Sequence, residues 1–359
     1  MTDTRHHPAS SADATRSRSP RFRLAFVPAW LVVSVTTAVF VLFDPTVPLT
    51  FQLVPLAASV VLIGLPHGAV DHLAIPRSRD EPVTARWLAA IGVLYLLAGS
   101  VYAAAWFLDP AVALVFFILL TWVHWGQGEL YPLVELTDAT HLDGRGVRVL
   151  TATTRGALPM LVPLVFFPGQ YALVASTLVG LFDPDAAVSL AVAFTPDARL
   201  AVGVGLAALI VVTLGLGARA TAPDGQQPWL LDASETLGLV VFFATVPPLL
   251  AVGLYFCFWH SLRHVVRLIL VDDDAASALD DRRYGAALGR FARDAAPLTA
   301  LSLALLLALF VALPSPTVAP LELVGAYLVV IAVLTLPHTL VVAWMDHEQA
   351  VWGVRTDTP

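Results

Sequence analysis

The chain has 359 residues, of which 58% are hydrophobic and only 13% are charged, with a formal net charge of −7. Soluble domains carry about 25% charged residues, so this composition excludes an ordinary soluble protein and indicates an all-α, polytopic membrane protein. Cys257 is the only cysteine and all twenty basic residues are arginine, which excludes an internal disulfide, a cysteine-rich metal site and a lysine Schiff base of the rhodopsin type.

The N-terminal residues 1–23 are polar and rich in Ser, Thr and Arg, which predicts a disordered tail. The apolar run Leu24–Phe43 follows directly. It is too long for a signal-peptide core and lacks an obvious cleavage site, so it predicts a first membrane span. The arginines before it predict a cytoplasmic N-terminus in the cell membrane.

Nine further apolar runs bring the expected number of spans to about ten, with eight as the lower count. They are Thr50–Leu73, Trp87–Leu108, Ala111–Tyr131, Val147–Phe167, Leu200–Leu216, Glu235–Val246, Leu249–Leu270, Ala295–Leu313 and Leu321–Met345. Pro247 and Pro248 predict a break between two helices. The stretch Tyr171–Phe194 contains Asp183-Pro184-Asp185 and is interpreted as re-entrant or peripheral.

The expected organisation is a single transmembrane catalytic domain over residues 24–347, followed by a short C-terminal tail, 348–359. With the N-terminus inside, ten spans place five apolar-segment histidines near the cytoplasmic ends of their helices and place arginine-rich loops inside. The five are His67, His124, His260, His264 and His338. The net negative charge without a basic stripe argues against a nucleic-acid partner.

Histidine is costly in hydrocarbon, so its repeated placement in these runs suggests a function. His260 and His264 are four residues apart in a helical context, which places both imidazoles on one face. His67 lies between Pro66 and Gly68. Asp71 follows one turn later, where it could accept a hydrogen bond from the second nitrogen of a metal-bound histidine. His72 is interpreted as interfacial.

His124 lies deep in its apolar run, and Glu129 after it is a candidate outer carboxylate or, slightly favoured, a helix-end residue. Three roles stay open for His338: a metal ligand, an oxygen-gating residue, or a core histidine whose nitrogens are both hydrogen-bonded. The other histidines are expected to be solvated: His6 and His7 in the tail, His141 in a polar loop and His347 near the C-terminal end. Nearby aromatic residues predict an apolar substrate site: Trp122, Trp125, Phe256, Phe258 and Trp259.

Neutral imidazoles without an inner carboxylate favour a single Fe(II) with open positions for dioxygen; zinc is possible chemically. The motifs Pro66-His67-Gly68-Ala69-Val70-Asp71, His124-Trp125-Gly126, His260-Ser261-Leu262-Arg263-His264 and Pro337-His338 resemble the Brp/Blh family. These are membrane-bound β-carotene 15,15′-dioxygenases that supply retinal to microbial rhodopsins.

The resemblance spans the chain from the second predicted helix to the last. It implies that His67, His124, His260 and His264 coordinate Fe(2+). It also implies that β-carotene is cleaved by O2 at its central double bond to give two retinals. His338, Asp71, Glu129, Trp125 and Trp259 are then expected as outer residues or as part of an oxygen or substrate path. Transfer of retinal to a microbial opsin is a further expectation.

Two alternatives are open on the sequence. A desaturase or hydroxylase would hold two irons in several histidine-rich boxes, and a single HxxxH provides too few imidazoles for that. A proton-coupled transporter or a carotenoid-binding scaffold would use the membrane histidines and Asp71 without metal chemistry. Iron content separates these last two from an oxygenase.

Overall fold

The computed structural model describes residues 19–222, 225–313 and 319–353. Over these ranges the chain forms helices and no strand, which confirms the all-α prediction. In the described part, nine helices are long and apolar enough to cross a membrane: Pro20–Phe43, Leu49–Ser78, Ala85–Leu108, Pro110–Thr137, Arg145–Phe166, Pro196–Ala220, Pro248–Leu270, Tyr284–Ala312 and Pro320–Glu348. The chain is a multi-pass membrane protein.

Several of these spans are interrupted. In chain order the α-helices are α1 Pro20–Phe43, α2 Leu49–Gln52, α3 Val54–Ser59, α4 Gly64–Gly68, α5 Asp71–Ser78, α6 Ala85–Leu108, α7 Pro110–Thr137, α8 Arg145–Phe166, α9 Pro168–Gly180, α10 Pro196–Ala220, α11 Gln226–Thr245, α12 Pro248–Leu254, α13 Leu262–Leu270, α14 Asp273–Asp280, α15 Tyr284–Ala312 and α16 Pro320–Glu348. A π-helical turn, Tyr255–Ser261, joins α12 to α13.

The first helix begins before the predicted start at Leu24. Ser19 caps it by accepting a hydrogen bond from the backbone amide of Phe22, and Pro20 occupies the first turn, where its missing N–H costs nothing. The predicted tail before Ser19 lies outside the described residues.

The seventh predicted span, Glu235–Val246, is part of α11, which is not among the nine helices of the described part that are apolar enough to cross a membrane. Its 20 residues rise about 30 Å, enough to cross a bilayer. Asp232 and Glu235 lower its hydropathy, yet both are buried and paired with Arg155. The predicted break at Pro247-Pro248 is confirmed, because α11 ends at Thr245 and α12 begins at Pro248.

The stretch interpreted as re-entrant or peripheral is not among the nine candidate spans. It forms α9 and a 3₁₀ segment, Ala186–Phe194, joined by a turn that contains Asp183 and Asp185. The side chain of Asp183 accepts hydrogen bonds from the backbone amides of Asp185 and Ala186, which ends the helical pattern there.

Glycines let α7 and α8 approach each other closely. A Cβ added to Gly126 would overlap the backbone oxygen of Ala152, and one added to Gly156 would overlap that of Trp122. Small residues are the usual means of close helix contact in membranes. This close contact fixes the position of His124 along α7 relative to that of Arg155 along α8. His124 lies near the middle of α7, so the expectation that it lies near a helix end is wrong.

Candidate metal centre

Five histidines from five separate segments meet inside the bundle. The π-helical turn contributes His260, and the α-helices contribute the others: α4 His67, α7 His124, α13 His264 and α16 His338. All five are buried. These are the five histidines that the sequence predicts near the cytoplasmic ends of their spans, and the structure joins them in one cluster, the histidine cluster.

The imidazoles are in direct contact. The Nε2 atoms of His124 and His260 are 3.0 Å apart. The ring of His338 has its centroid 4.7 Å from that of His124, 5.0 Å from that of His67 and 5.1 Å from that of His264. Nitrogens bound about 2.1 Å from one ion lie roughly 3 Å apart, so the His124–His260 pair already has the spacing of two ligands.

Two groups of described residues could each hold a metal ion, because within each group the candidate ligand atoms all lie within 4.8 Å of one another. One group is His67, His124 and His260, and the other is Asp71, His264 and His338. The ring of His67 connects the groups, with its centroid 5.5 Å from that of His264. The structure therefore gathers the four histidines expected to be ligands, and it adds His338 and Asp71 to them.

Two of the rings are fixed by hydrogen bonds from the outer nitrogen. Nδ1 of His67 contacts the backbone oxygen of Gly64, and Nδ1 of His338 lies 2.7 Å from Oδ2 of Asp71. Metal-bound histidines almost always donate their second N–H to a carbonyl or a carboxylate. In both residues this leaves Nε2 unprotonated and free to bind a metal.

Other nitrogens of the cluster are buried and have no hydrogen-bond partner among the described residues. They are Nδ1 of His124, Nδ1 of His260, both nitrogens of His264 and Nε2 of His338. Buried polar atoms are nearly always bonded, so this concentration is unusual for a packed interior. Imidazole nitrogens suit iron, copper, zinc and nickel, so the donor set fits a transition-metal ion.

The local backbone at His260 departs from an α-helix. Residues Tyr255–Ser261 form a π-helical turn, and such turns occur frequently at functional sites. The turn places His260 beside Gly128, where an added Cβ would lie 2.9 Å from Cε1 of the imidazole. His264 then follows in the regular helix α13, and both rings contact His67.

Glu129 is not a helix-end residue, contrary to the interpretation favoured from the sequence. It is fully buried and forms ion pairs with Arg155 and Arg263. Arg155 also pairs with Asp232 and Glu235, and Arg263 also pairs with Glu235. These five residues form the ion network, which ties α7, α8, α11 and α13 together beside the histidine cluster.

The two tryptophans expected near the site have different environments. Trp259 donates its indole N–H to Glu129 at 2.9 Å and lies under the guanidinium of Arg263, so it belongs to the ion network. Trp125 lies against the cluster, with its ring centroid 6.0 Å from that of His260. Of the five aromatic residues predicted to surround a substrate, Trp125 and Phe256 line the cavity described below.

His141 was expected to be solvated, and the structure contradicts this. It is buried, and its Nε2 atom lies 3.0 Å from Oδ2 of Asp232, so it extends the ion network. The sequence places it in a polar loop and gives no sign of this burial. His347 is exposed as expected, His72 is half-buried with Nδ1 3.1 Å from the backbone oxygen of Ala69, and His6 and His7 lie outside the described residues.

A cavity of about 830 Å³ reaches the cluster. Its walls include His67, His124 and His338, and most of its other lining residues are apolar. Ligand cavities usually measure about 300–1,000 Å³, so this one has room for a large apolar molecule. One part is enclosed by buried residues such as Pro159, Ala175 and Leu178.

Another part of the cavity opens between α6 and α15. These helices make almost no direct contact with each other, and each packs against α16 instead. The lining residues there are exposed leucines: Leu88, Leu96, Leu301 and Leu305. In a membrane this opening, the α6–α15 mouth, faces lipid rather than water.

Comparison with known proteins identifies the family of the chain. The family model described as beta-carotene 15,15′-dioxygenase matches residues 58–346. The probable beta-carotene 15,15′-dioxygenase Blh of Halobacterium salinarum is 46% identical over 336 residues, covering 94% of this chain and 96% of the relative. No solved structure matches the chain.

Two further relatives are more distant. The probable beta-carotene 15,15′-dioxygenase Brp of Halobacterium salinarum is 32% identical over 322 residues, covering 86% of this chain and 87% of the relative. The beta-carotene 15,15′-dioxygenase of an uncultured marine bacterium, 66A03, is 26% identical over 207 residues, covering 58% of this chain and 66% of the relative. With its matched region spanning all five clustered histidines, the chain belongs to the beta-carotene 15,15′-dioxygenase family.

Proposed function

We propose that the chain cleaves the central 15,15′ double bond of β-carotene with O2 and releases two molecules of retinal. The observation that carries this proposal is the cavity: a large, apolar space that runs from a lipid-facing mouth to a buried histidine cluster. The names of the relatives supply the substrate and the position of the cleaved bond.

The reaction is balanced without a further reductant or oxidant. The C15–C15′ double bond and the O–O bond break, and two C=O bonds form. The protein therefore needs no group that delivers electrons or protons, which agrees with a cavity lined mostly by apolar residues.

His67, His124, His260 and His264 would hold Fe(II) as a single ion. Iron bound by neutral imidazoles supplies the ability to bind and activate O2 beside the polyene. The chain's own part is to hold the central double bond next to the cluster and to exclude water from it. Zinc would suit the same nitrogens, but hydrolysis requires water and a polar substrate, and the cavity favours neither.

The α6–α15 mouth gives β-carotene a route from the bilayer to the cluster. The enclosed end of the cavity, next to α9 and α12, would receive the part of the polyene that has passed the histidines. The location proposed for the chain is the cell membrane, with a cytoplasmic N-terminus because arginines precede the first span. Retinal released into the bilayer would be available to a microbial opsin.

The test is expression in cells that accumulate β-carotene, with extracted retinal measured by chromatography. We expect loss of colour and two retinals per β-carotene consumed in the wild type. His260→Ala, which removes one imidazole of the 3.0 Å pair, should leave the carotene intact. His347→Ala is the control, because this histidine is exposed.

Unchanged carotene in a well-expressed, iron-loaded wild type would point to another lipid substrate. Unchanged carotene in a protein that purifies without iron would favour a transporter or a carotenoid-binding scaffold. Both results would contradict the proposed function.

A further inference from the structure

We infer that His338 is a fifth metal ligand of the histidine cluster, positioned through its Nδ1 atom by Asp71, which Tyr95 orients in turn. This inference rests on the proposed iron site and goes beyond it, because the resemblance implies four ligands and places His338 only among the outer or path residues. Pro337-His338 also comes from the last helix, so it would tie α16 to the metal.

The position of His338 supports a ligand role. Its ring contacts those of His67, His124 and His264, with centroid distances of 4.7–5.1 Å, so it lies among the proposed ligands and not behind them. His338 also lines the cavity.

Its hydrogen bonding separates a ligand from an ordinary core histidine. A core histidine would satisfy both nitrogens, whereas Nε2 of His338 is buried and has no partner in the described part of the chain. Nδ1 donates to Oδ2 of Asp71 at 2.7 Å. A carboxylate on the outer nitrogen fixes the tautomer with a free Nε2 and raises its basicity, as in metal-bound histidines generally.

Tyr95 holds the carboxylate of Asp71 in one orientation. Its hydroxyl donates to the same Oδ2 atom at 2.5 Å, so the chain Tyr95–Asp71–His338 joins α6, α5 and α16. Asp71 is almost fully buried, and a buried carboxylate needs such partners. Asp71 also lies within 4.8 Å of the candidate ligand atoms of His264 and His338, so its hydrogen bond acts at the metal site itself.

The experiment measures Fe(II) affinity of the purified full-length protein by competition with a chelator, without oxygen. His338→Ala should weaken binding by at least about tenfold, because loss of even an outer hydrogen bond typically costs 10–100-fold. Asp71→Asn should weaken it by about tenfold and Tyr95→Phe by less. His347→Ala on the same helix is exposed and should bind iron as the wild type does.

X-ray absorption of the iron-loaded protein gives a second readout that does not depend on activity. The number of imidazoles around iron should fall by one in His338→Ala. Unchanged affinity together with an unchanged imidazole count would overturn the inference. Asp71→Asn and Tyr95→Phe preserve side-chain volume, so they test it even if His338→Ala does not fold.

A failure of the proposed function would look different. A wild-type protein that binds no iron would overturn both the iron site and the role of His338. An iron-binding wild type whose affinity is the same in His338→Ala and Asp71→Asn would overturn the fifth ligand alone.

Discussion

Two buried polar regions adjoin the segment Tyr255–Leu270, and they differ in how their atoms are satisfied. In the ion network every carboxylate oxygen of Glu129, Asp232 and Glu235 has a partner. In the histidine cluster, a few residues away, several imidazole nitrogens have none among the described residues. The first region has the properties of a structural tie between helices. The second has the donor atoms of a metal-binding site.

The alternation of residues along the segment explains how one element serves both regions. Trp259 and Arg263 contribute to the ion network, while His260 and His264 contribute to the histidine cluster. Each pair is four residues apart, so each follows one face of the helix and the faces lie side by side. The comparison therefore predicts that substitutions on the two faces have different consequences.

The largest effect is expected for His264→Ala. Both of its nitrogens are unpartnered in the described structure, so the variant should lose iron and activity and keep its membrane insertion and its metal-free stability. The loss of iron affinity should exceed the 10–100-fold typical of outer-residue changes. Metal analysis and thermal unfolding of the metal-free protein check this. Normal iron content would remove His264 from the site.

The opposite behaviour is expected for Arg155→Met. In the described structure this change removes the one arginine that pairs with Asp232 and leaves Glu129 and Glu235 with Arg263 alone, and breaking a buried ion pair costs about 3–5 kcal/mol. The free energy of unfolding of the metal-free protein should fall by that amount, with Arg219→Met, at an exposed position, as the control. An unchanged free energy of unfolding would show that the ion network does not stabilise the packing of these helices.

A smaller effect on the metal is expected for Gly128→Ala. The new methyl group would lie 2.9 Å from Cε1 of His260, closer than normal contacts, so the imidazole must shift. We expect about tenfold weaker iron binding, within the range for altered support of a ligand. Gly238→Ala, where a Cβ meets nothing, is the matched control. Equal iron affinities of the two variants would contradict the placement of His260.

The cavity entrance can be tested separately from the metal. Gly92 lines the α6–α15 mouth, and a side chain added there meets open space, so Gly92→Trp should narrow the entrance without disturbing packing. Cleavage of β-carotene supplied in vesicles should slow several-fold, by an increase in KM, while iron content stays constant. Gly205→Trp on α10 is equally open and lies away from the cavity. Equal rates in both variants would place the substrate route elsewhere.

The smallest effect is expected at an exposed ion pair. The hydrogen bond from Arg21 lowers the pKa of Asp280, and both side chains are nearly half exposed. A carboxyl group with a lowered pKa adds stability above its unfolded pKa, near 3.9, and loses it as the pH falls through the folded value. Solvent screening limits the effect of Arg21→Met to less than about 1 kcal/mol at pH 7, and it should vanish at low pH. A pH-independent effect would contradict the pairing.

The sequence was sufficient to predict the helical fold and most spans, because long apolar runs bounded by charges leave few alternatives. It also pointed to the histidines that cluster. It could not predict the ion network. The sequence favours a helix-end position for Glu129 and a solvated loop position for His141, and the residues that pair with them come from other helices. The sequence predicts that Asp71 accepts a hydrogen bond from a metal-bound histidine. It does not identify the partner, His338, which lies 267 residues away and is found only in the structure.

The π-helical turn was also beyond sequence reasoning. The run Tyr255–Trp259 reads as ordinary apolar helix, and nothing in its composition marks the wider turn. Within this turn the imidazole of His260 lies next to Gly128 and Phe256, contacts that only the folded chain brings together.

The most direct test of the account is an iron titration of the metal-free protein followed by a single turnover with β-carotene and O2. We expect one Fe(II) per chain and two retinals for each β-carotene consumed, with no cleavage before iron is added. Retinal formation without iron, two irons per chain, or aldehydes of unequal length would contradict it.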